Sequence, residues 1–229
     1  GKNVLRSSFI MIFILFFTGC SVKQMENYKD KKEVEKQKKK KEIIYKRPKI
    51  TKDLEQKVYE IVDALAKKDI NKINTKYINK ELGFYNLYKI DGYERFFHQR
   101  EIMNENEFRF DEIANIINRV STSVKHLKIN KTNTVFKCSP NDDKYYGWTK
   151  FGLFLSDETS PKLEQLMKEF NKKVKYSFYD KEDLQTAKLI QKESYKVVLT
   201  PEVILYLTKL DKNWYITLFD RLSINCSAK

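Results

Sequence analysis

Hydrophobic and polar residues follow three successive patterns along this chain of 229 residues. Residues 9 to 17 form an unbroken apolar run, FIMIFILFF. Residues 21 to 49 are mostly polar, with almost no large apolar residue before Ile43. From Thr51 onward, apolar residues recur at the spacings of helices and strands, which is typical of a folded core. We therefore expect an apolar leader, a polar tether, and one globular domain that is long enough to bury its own core.

Helical periodicity recurs in four places within the domain. Thr51 is a predicted N-cap for the first helix, and Asp69 is one for a second, shorter helix. A third helix is predicted over residues 110 to 120, and a fourth with Ser160 as its cap and Pro161 at its first position. The first helix has the clearest apolar face, formed by Leu54, Val58, Ile61, Val62 and Leu65.

Strand signals account for most of the remaining domain. Asp91 and Gly92 form a turn pair that predicts a hairpin between two aromatic-rich strands. Residues 134 to 138 and 145 to 156 look like strands separated by the polar loop SPNDDK, and the chain ends in a series of strands. Helices followed by terminal antiparallel strands indicate an α+β fold, with an N-terminal helix and further helices packed on one face of a curved, mainly antiparallel sheet.

The apolar run at residues 9 to 17 is too short to cross a bilayer, which takes about 20 residues, but it has the length of the apolar part of a signal peptide. Lys2 and Arg6 precede it without an acidic residue, as in the positive segment of such signals. Phe17, the last residue of the run, and Thr18, Gly19 and Cys20 after it resemble the lipobox of bacterial lipoproteins, with Phe17 in place of the usual Leu.

This resemblance implies that Cys20 receives a diacylglyceryl group and that residues 1 to 19 are removed as a signal peptide. Residues 20 to 50 would then be a lipid-anchored tether, and residues 51 to 229 the globular domain. Because Ser21 follows the cysteine, the resemblance also implies the outer membrane in a cell with two membranes. A plain secretory signal, or a core helix with an unrelated cysteine, is the alternative.

Two further cysteines, Cys138 and Cys226, remain once Cys20 is assigned to the lipid. An even number of cysteines in an exported protein predicts one disulfide, because such compartments are oxidising. Each of the two lies near the end of a predicted strand. Two unpaired buried thiols are the alternative, and the spacing matches no zinc site.

Half of the formal net charge of +14 lies in the tether. Residues 21 to 49 contain 12 basic and 5 acidic residues, a net charge of +7. Beside a lipid anchor, the expected partner is an anionic lipid headgroup, at about 1 kcal/mol per lysine near the surface. A spacer whose charge has no specific role is the alternative, and export argues against nucleic acid as a partner.

Candidate catalytic chemistry is sparse. The two histidines, His98 and His126, have no metal-ligand spacing to each other or to a cysteine. His98 is flanked by charged residues and is a candidate general base, although a structural role is the alternative. Asp142 and Asp143 lack the further carboxylates of a calcium loop, so a solvated turn is favoured. No cofactor or metal is predicted.

Two other groups of residues are candidates for a pocket or a binding platform. Asp220 and Arg221 are neighbours on the last strand, so one of them should face the covered side of the sheet as part of a structural pair or of a pocket. Aromatic residues such as Tyr85, Tyr88 and Trp148 could stack on a sugar or a peptide, and the alternative is that they form the core.

The segment VILYLTKLDKNWYITLFDRL resembles the terminal hairpin of the nuclear-transport-factor-two-like or cystatin-like cone folds. GFYNLYK, GWTKFGLF and the ending WYITLFDRLSINCSA are similar to a family of uncharacterised bacterial envelope lipoproteins, which implies no known activity. We therefore expect a lipid-anchored envelope protein whose domain is a binding or scaffold module. The alternative is an enzyme that uses His98 and Asp220 as an acid-base pair in a cone-shaped pocket.

Overall fold

The described strands are β1 (Phe84–Ile90), β2 (Tyr93–Gln99), β3 (Ile129–Asn130), β4 (Phe136–Lys137), β5 (Gly147–Trp148), β6 (Leu153–Ser156), β7 (Tyr195–Leu199), β8 (Val203–Leu210) and β9 (Asn213–Asp220). Seven of them form the sheet at the centre of the computed structural model, in the order β2-β1-β9-β8-β7-β6-β3. The structure describes residues 50–105, 115, 127–138, 147–158, 160, 162–201, 203–224 and 226. The β1/β9 and β3/β6 pairs are parallel and the other four pairs are antiparallel. A separate two-stranded sheet joins β4 to β5. Helices and a mainly antiparallel sheet confirm the predicted α+β class.

The described helices are α1 (Lys52–Ala66), α2 (Ile70–Lys72, continued by a π-helical turn over Ile73–Tyr77), α3 (Leu163–Val174) and α4 (Lys181–Glu193).

The first two helices begin where the sequence predicts. The Thr51 hydroxyl accepts a hydrogen bond from the Leu54 amide at 3.3 Å, which caps α1. The Asp69 carboxylate accepts one from the Lys72 amide at 3.0 Å, which caps α2. The five apolar residues expected on one face of α1 are all buried. Local capping and periodicity therefore determine this part of the fold.

Helices cover both faces of the sheet, which corrects the prediction of helices on one face only. Side chains of α1 and α2 pack with Val197, Leu205 and Ile216 in one core. Side chains of α3 and α4 pack with Ile204 and Leu218 in the other. Successive strand residues point to opposite faces, so a strand that is apolar at consecutive positions needs a cover on each side.

The start of α3 also differs from the prediction. Lys162 is the N-cap and makes no side-chain capping bond. Instead, the Gln191 side chain from α4 accepts a hydrogen bond from the Glu164 amide. Ser160 is buried, and its hydroxyl has no hydrogen-bond partner among the described residues; Pro161 lies outside them. A cap supplied by another helix cannot be identified from local sequence.

Helix α4 was not predicted from the sequence, although its capping signal is local. Asp180 accepts hydrogen bonds from the amides of Glu182 and Asp183, and the Asp183 carboxylate accepts one from the Asp180 amide. This is a capping box. Ala187 and Ile190 form the buried face of the helix.

The predicted hairpin at Asp91 and Gly92 is confirmed. Both residues have a positive φ, 49° and 79°, as a two-residue type I′ turn requires. The turn pairs Ile90 with Tyr93 and continues to Phe84 and Gln99. The last three strands of the chain are likewise present as β7, β8 and β9, whereas residues 145 to 156 contain two short strands, β5 and β6. The predicted helix at 110 to 120, apart from residue 115, and the loop at 139 to 144 lie outside the described residues.

The Cys138–Cys226 disulfide connects the end of β4 to the segment after β9. The two Cα atoms are 5.5 Å apart, within the normal range for a disulfide, and 88 residues separate the cysteines. The predicted pairing is confirmed at the level of geometry. It joins the small β4/β5 sheet to the C-terminal segment.

Replacing either cysteine, Cys138→Ser or Cys226→Ser, should destabilise the oxidised protein. The loop of 88 residues gives a loss of about 4 to 5 kcal/mol in the entropic model, and less where the reduced chain retains structure. Thermal unfolding with and without reductant provides the measurement. Wild-type protein should lose stability on reduction, and the variants should not respond. Equal melting of wild type and variants under oxidising conditions would contradict the disulfide.

Candidate functional site: a groove between β2 and α3

His98 lies on β2 and contacts the chain just before β1. Its ring stacks on Tyr85, with centroids 4.4 Å apart and planes 12° apart. Its Nε2 atom is 2.6 Å from the Leu82 carbonyl oxygen, and because a carbonyl only accepts, Nε2–H must be the donor. A Cβ at the neighbouring Gly83, whose φ is +67°, would collide with the Gln99 carbonyl. The imidazole therefore stabilises the close approach of β2 to the segment before β1. Its stack on Tyr85 brings together two of the predicted site residues, Tyr85 and His98.

Asp220 is buried at the end of β9 and closes the turn that follows. Its carboxylate accepts hydrogen bonds from the amides of Leu222 at 2.8 Å and Ser223 at 3.0 Å, and from the Ser223 hydroxyl. Burial raises the pKa of Asp220, and the bonds from Ser223 and Leu222 and the charge of Lys196 oppose that rise. The neighbouring Arg221 donates its amide to the Leu87 carbonyl at 2.8 Å. Asp220 therefore acts as a turn acceptor.

His98 and Asp220 lie on different parts of the sheet. His98 is opposite Tyr85, Tyr85 is opposite Leu218, and Asp220 is two residues further along β9. With strands about 4.8 Å apart and about 3.3 Å per residue, their Cα atoms are separated by more than about 10 Å. Each has its own hydrogen-bond partners. This geometry does not assemble an acid-base pair.

Tyr85 and Trp148 are core residues, only 3% and 7% exposed, and Tyr88 is half-buried. The Trp148 indole donates to the Pro201 carbonyl at 2.9 Å and packs edge-on against Phe136. Burial raises the pKa of Tyr85 to about 12, with the charge of Asp183 adding to it. These aromatic residues therefore belong to the core, which was the alternative interpretation, and they do not form an exposed platform.

An open groove of about 210 Å³ lies between β2 and α3. Tyr179 joins its two sides, because its ring contacts Phe96 of β2 at 5.2 Å and Phe170 of α3 at 5.5 Å between centroids. The rim combines two acidic residues, Glu94 and Glu169, with two basic ones. The full lining consists of Glu94, Arg95, Phe96, Leu166, Glu169, Phe170, Lys173 and Tyr179. Aromatic walls with balanced charges suit a ligand that is mostly apolar and nearly neutral.

Strand β2, which borders this groove, is at the edge of the described sheet. The Leu87 carbonyl points from β1 toward β9, where it accepts from the Arg221 amide. Its antiparallel partner Phe96 must then point its own amide and carbonyl away from β1. Glu94 and His98 are each two residues from Phe96, so their main-chain amides and carbonyls also point away from β1. The outer edge of β2 therefore presents main-chain donors and acceptors directly beside the groove.

The opposite face of β2 has two exposed aromatic residues, with Arg95 between them. Tyr93 is 63% and Phe97 59% exposed. Exposed large side chains on an edge strand are uncommon unless the strand is covered by a partner. This surface was not predicted from the sequence, although the alternating pattern YERFFHQ at residues 93 to 99 indicates it.

Several other predicted residues lie outside the described part of the chain. These are Cys20, His126, Asp142 and Asp143. Among the described residues, no cluster of three or more His, Cys, Asp or Glu side chains could hold a metal ion. Nor does any helix in those ranges combine the length and the apolar character needed to span a bilayer.

No protein-family model matches this chain, and no curated protein or solved structure is significantly similar to it. The resemblances to cone folds and to envelope lipoproteins therefore stay predictions.

Replacing Asp220 by asparagine should remove a pH dependence of stability. The folded pKa is raised above its ordinary value of 3.8, so this carboxyl supports folding fully below about pH 4, and that support is lost as the pH rises through the folded pKa. The asparagine amide would keep an acceptor for the two amides and could donate to Ser223. The difference in unfolding free energy between Asp220→Asn and wild type should therefore widen in favour of the variant as the pH rises from about 4.

Denaturant unfolding measured across this pH range is the test. Asp220→Ala serves as the control, because it lacks any acceptor and should be less stable than Asp220→Asn at every pH. A gap between the asparagine variant and wild type that does not change with pH would contradict a raised pKa.

Proposed function

We propose that this protein is a lipid-anchored cell-envelope protein whose globular domain binds an extended polypeptide segment along β2. The observation that carries the binding role is the edge strand β2 with an aromatic groove at its side. The sequence predicts only a general binding or scaffold module. The outward main-chain amides and carbonyls of β2 favour a polypeptide as its ligand.

The anchoring part of the proposal is supported by the order of features at the start of the chain. A basic segment, an apolar run of signal length, and a lipobox ending in Cys20 follow one another at the expected spacing. The Cys138–Cys226 pair supports an oxidising compartment. In a cell with two membranes, Ser21 favours the periplasmic face of the outer membrane.

The polypeptide ligand is supported by the main chain of β2. Glu94, Phe96 and His98 present amides and carbonyls outward, and an added strand can pair with them. Alternate side chains of such a strand would enter the groove toward Phe96 and Phe170, and the others would cover Tyr93 and Phe97 on the opposite face.

The charges of the site argue for the same ligand class. The groove has two acidic and two basic residues at its rim, and Glu94 is itself 3.5 Å from the Lys162 ammonium. A phosphate or a nucleotide would meet both signs of charge in this groove. A largely apolar peptide requires no net charge and can still contact the rim groups through its main chain.

Changing Cys20 to serine should abolish membrane attachment through the covalent lipid. The serine hydroxyl cannot form the thioether to the lipid, and the signal would remain uncleaved or another processing route would release soluble protein. Detergent phase partitioning of protein from both strains is the measurement, with Cys138→Ser as a control that keeps the lipobox. Wild-type protein found in the aqueous phase would contradict the lipid anchor.

A proline at position 94 should weaken peptide binding, because it removes an outward amide of β2 without removing a bond to β1. The loss of one hydrogen bond predicts an affinity about fivefold lower. Peptides selected from a displayed random library on the purified protein serve as probes, and fluorescence polarisation gives the dissociation constants.

Glu94→Ala is the matched control, since it loses the same carboxylate and the same contact with Lys162 but keeps the amide. It should bind the selected peptides within about twofold of wild type. Equal losses in the alanine and proline variants would show that the side chain, and not the strand edge, recognises the ligand. A library that yields no binder would contradict the proposed ligand class.

A further inference from the structure

An exposed aromatic cluster marks the connection between α3 and α4. We name Phe170, Tyr176 and Phe178 the aromatic tip. Their exposed fractions are 37%, 59% and 53%. The Phe178 ring contacts Phe170 at 5.4 Å and Tyr176 at 6.1 Å between centroids. Three neighbouring rings thus form one continuous apolar surface that faces solvent.

Specific hydrogen bonds hold this connection in place. The Asn171 side chain donates to the Tyr179 carbonyl at 2.8 Å and accepts from the Tyr179 amide at 2.9 Å. Lys175, in the left-handed conformation with φ 58°, ends α3, and the capping box of Asp180 starts α4. These hydrogen bonds and caps fix the conformation of the connection, and that conformation exposes the rings.

Between residues 171 and 179, the charged residues are all positive. Residues 171 to 179, NKKVKYSFY, contain three lysines and no acidic residue. The lysines, Lys172, Lys173 and Lys175, are all exposed. Acidic residues are found only on either side, at Glu169 and Asp180. The aromatic surface is thus bordered by positive charge close in sequence to each ring.

We infer that the aromatic tip inserts into the headgroup region of an anionic bilayer, with the three lysines on lipid phosphates. Aromatic rings favour the membrane interface, where their apolar bodies are buried, and lysine side chains reach from it to the headgroups. Positive charge next to the rings complements the negative surface of such a membrane. This contact goes beyond the proposed function and does not require the lipid on Cys20.

One consequence concerns the groove. Phe170 belongs both to the tip and to the groove lining, and Lys173 borders both. A tip bound at the membrane would place one end of the groove at the bilayer surface. Peptides that emerge from that surface would then be the ones that β2 meets first.

The test uses residues 20 to 229, the chain expected after removal of the signal, with Cys20→Ser, so that neither a covalent lipid nor the apolar run contributes. The vesicles are phosphatidylcholine with or without an equal part of phosphatidylglycerol. Phe178→Trp supplies a probe in the tip, and Phe151→Trp is the matched control at a residue 77% exposed on the segment before β6. The two native tryptophans are buried, so they give a constant background.

Bromine on the acyl chains of the vesicle lipids should quench the added tryptophan of Phe178→Trp and leave that of Phe151→Trp unchanged, because only a ring inside the interface approaches the acyl chains. Vesicle sedimentation should show binding at least about tenfold weaker when Lys172, Lys173 and Lys175 are changed to glutamine together, since the three positive charges beside the rings are then lost. Binding should also weaken at high salt and on vesicles without phosphatidylglycerol.

The inference is overturned if Phe178→Trp shows no quenching while the protein sediments with anionic vesicles, because the tether would then account for the binding. Equal quenching of the two tryptophan variants would also overturn it. If the glutamine variant binds vesicles as wild type does but loses a protein ligand, the tip is a protein-binding surface instead. Circular dichroism confirms that each variant is folded. Failure here leaves the detergent partitioning of Cys20 variants unaffected, so the two proposals are separable.

Discussion

Burial of β8 and β9 on both faces is the constraint on which the other elements depend. Every residue from Val203 to Thr208 is buried, and β9 is buried from Ile216 to Asp220. A strand pair that is apolar at consecutive positions needs a cover on each side, so α1 and α2 pack on one face and α3 and α4 on the other. The outer strands and the groove between β2 and α3 are arranged around this pair.

A bulge in this strand pair determines which side chains share a core. The register shifts after Tyr206, which pairs with Leu218, to Leu207, which pairs with Ile216. The extra residue is Thr217, whose hydroxyl is 2.7 Å from that of Thr208 in a buried contact. Without the bulge, Leu218 would be on the same face as Ile216. With it, Leu218 packs with α3 and α4, and Asp220 follows two residues later on that same face.

A hydrogen bond between side chains links α1 to β9. The Trp214 indole donates to the Asp53 carboxylate at 3.0 Å, and the two residues are 161 positions apart. The indole is buried against α1, so its polar edge needs this partner. At the other end of the sheet order, β2 has exposed rings on one face and the groove on the other. The centre of the sheet is fully covered, and the surface available to a ligand lies at its β2 edge.

Local sequence determined the elements whose signals lie within a few residues of one another. The Thr51 and Asp69 caps, the hairpin at Asp91 and Gly92, the two long terminal strands and the α+β class all follow from propensity, capping and periodicity. The disulfide between Cys138 and Cys226 could be inferred from counting, because only one pairing remained after Cys20 was set aside. The physical reason is that caps, turns and strands depend on short-range sterics and hydrogen bonds. The disulfide needed only the observation that two cysteines remained.

Tertiary structure alone decided what depends on residues that are far apart in the chain. The cap of α3 comes from Gln191, and beside the groove Glu94 contacts Lys162 across 68 positions. Whether Asp220 or Arg221 faces inward depended on a bulge that the strand pattern did not show, and the stack of His98 on Tyr85 depended on the hairpin register. Burial and pairing between distant segments supply most of the free energy of such contacts, and a one-residue shift in register exchanges the faces of a strand. Local patterns do not contain that information.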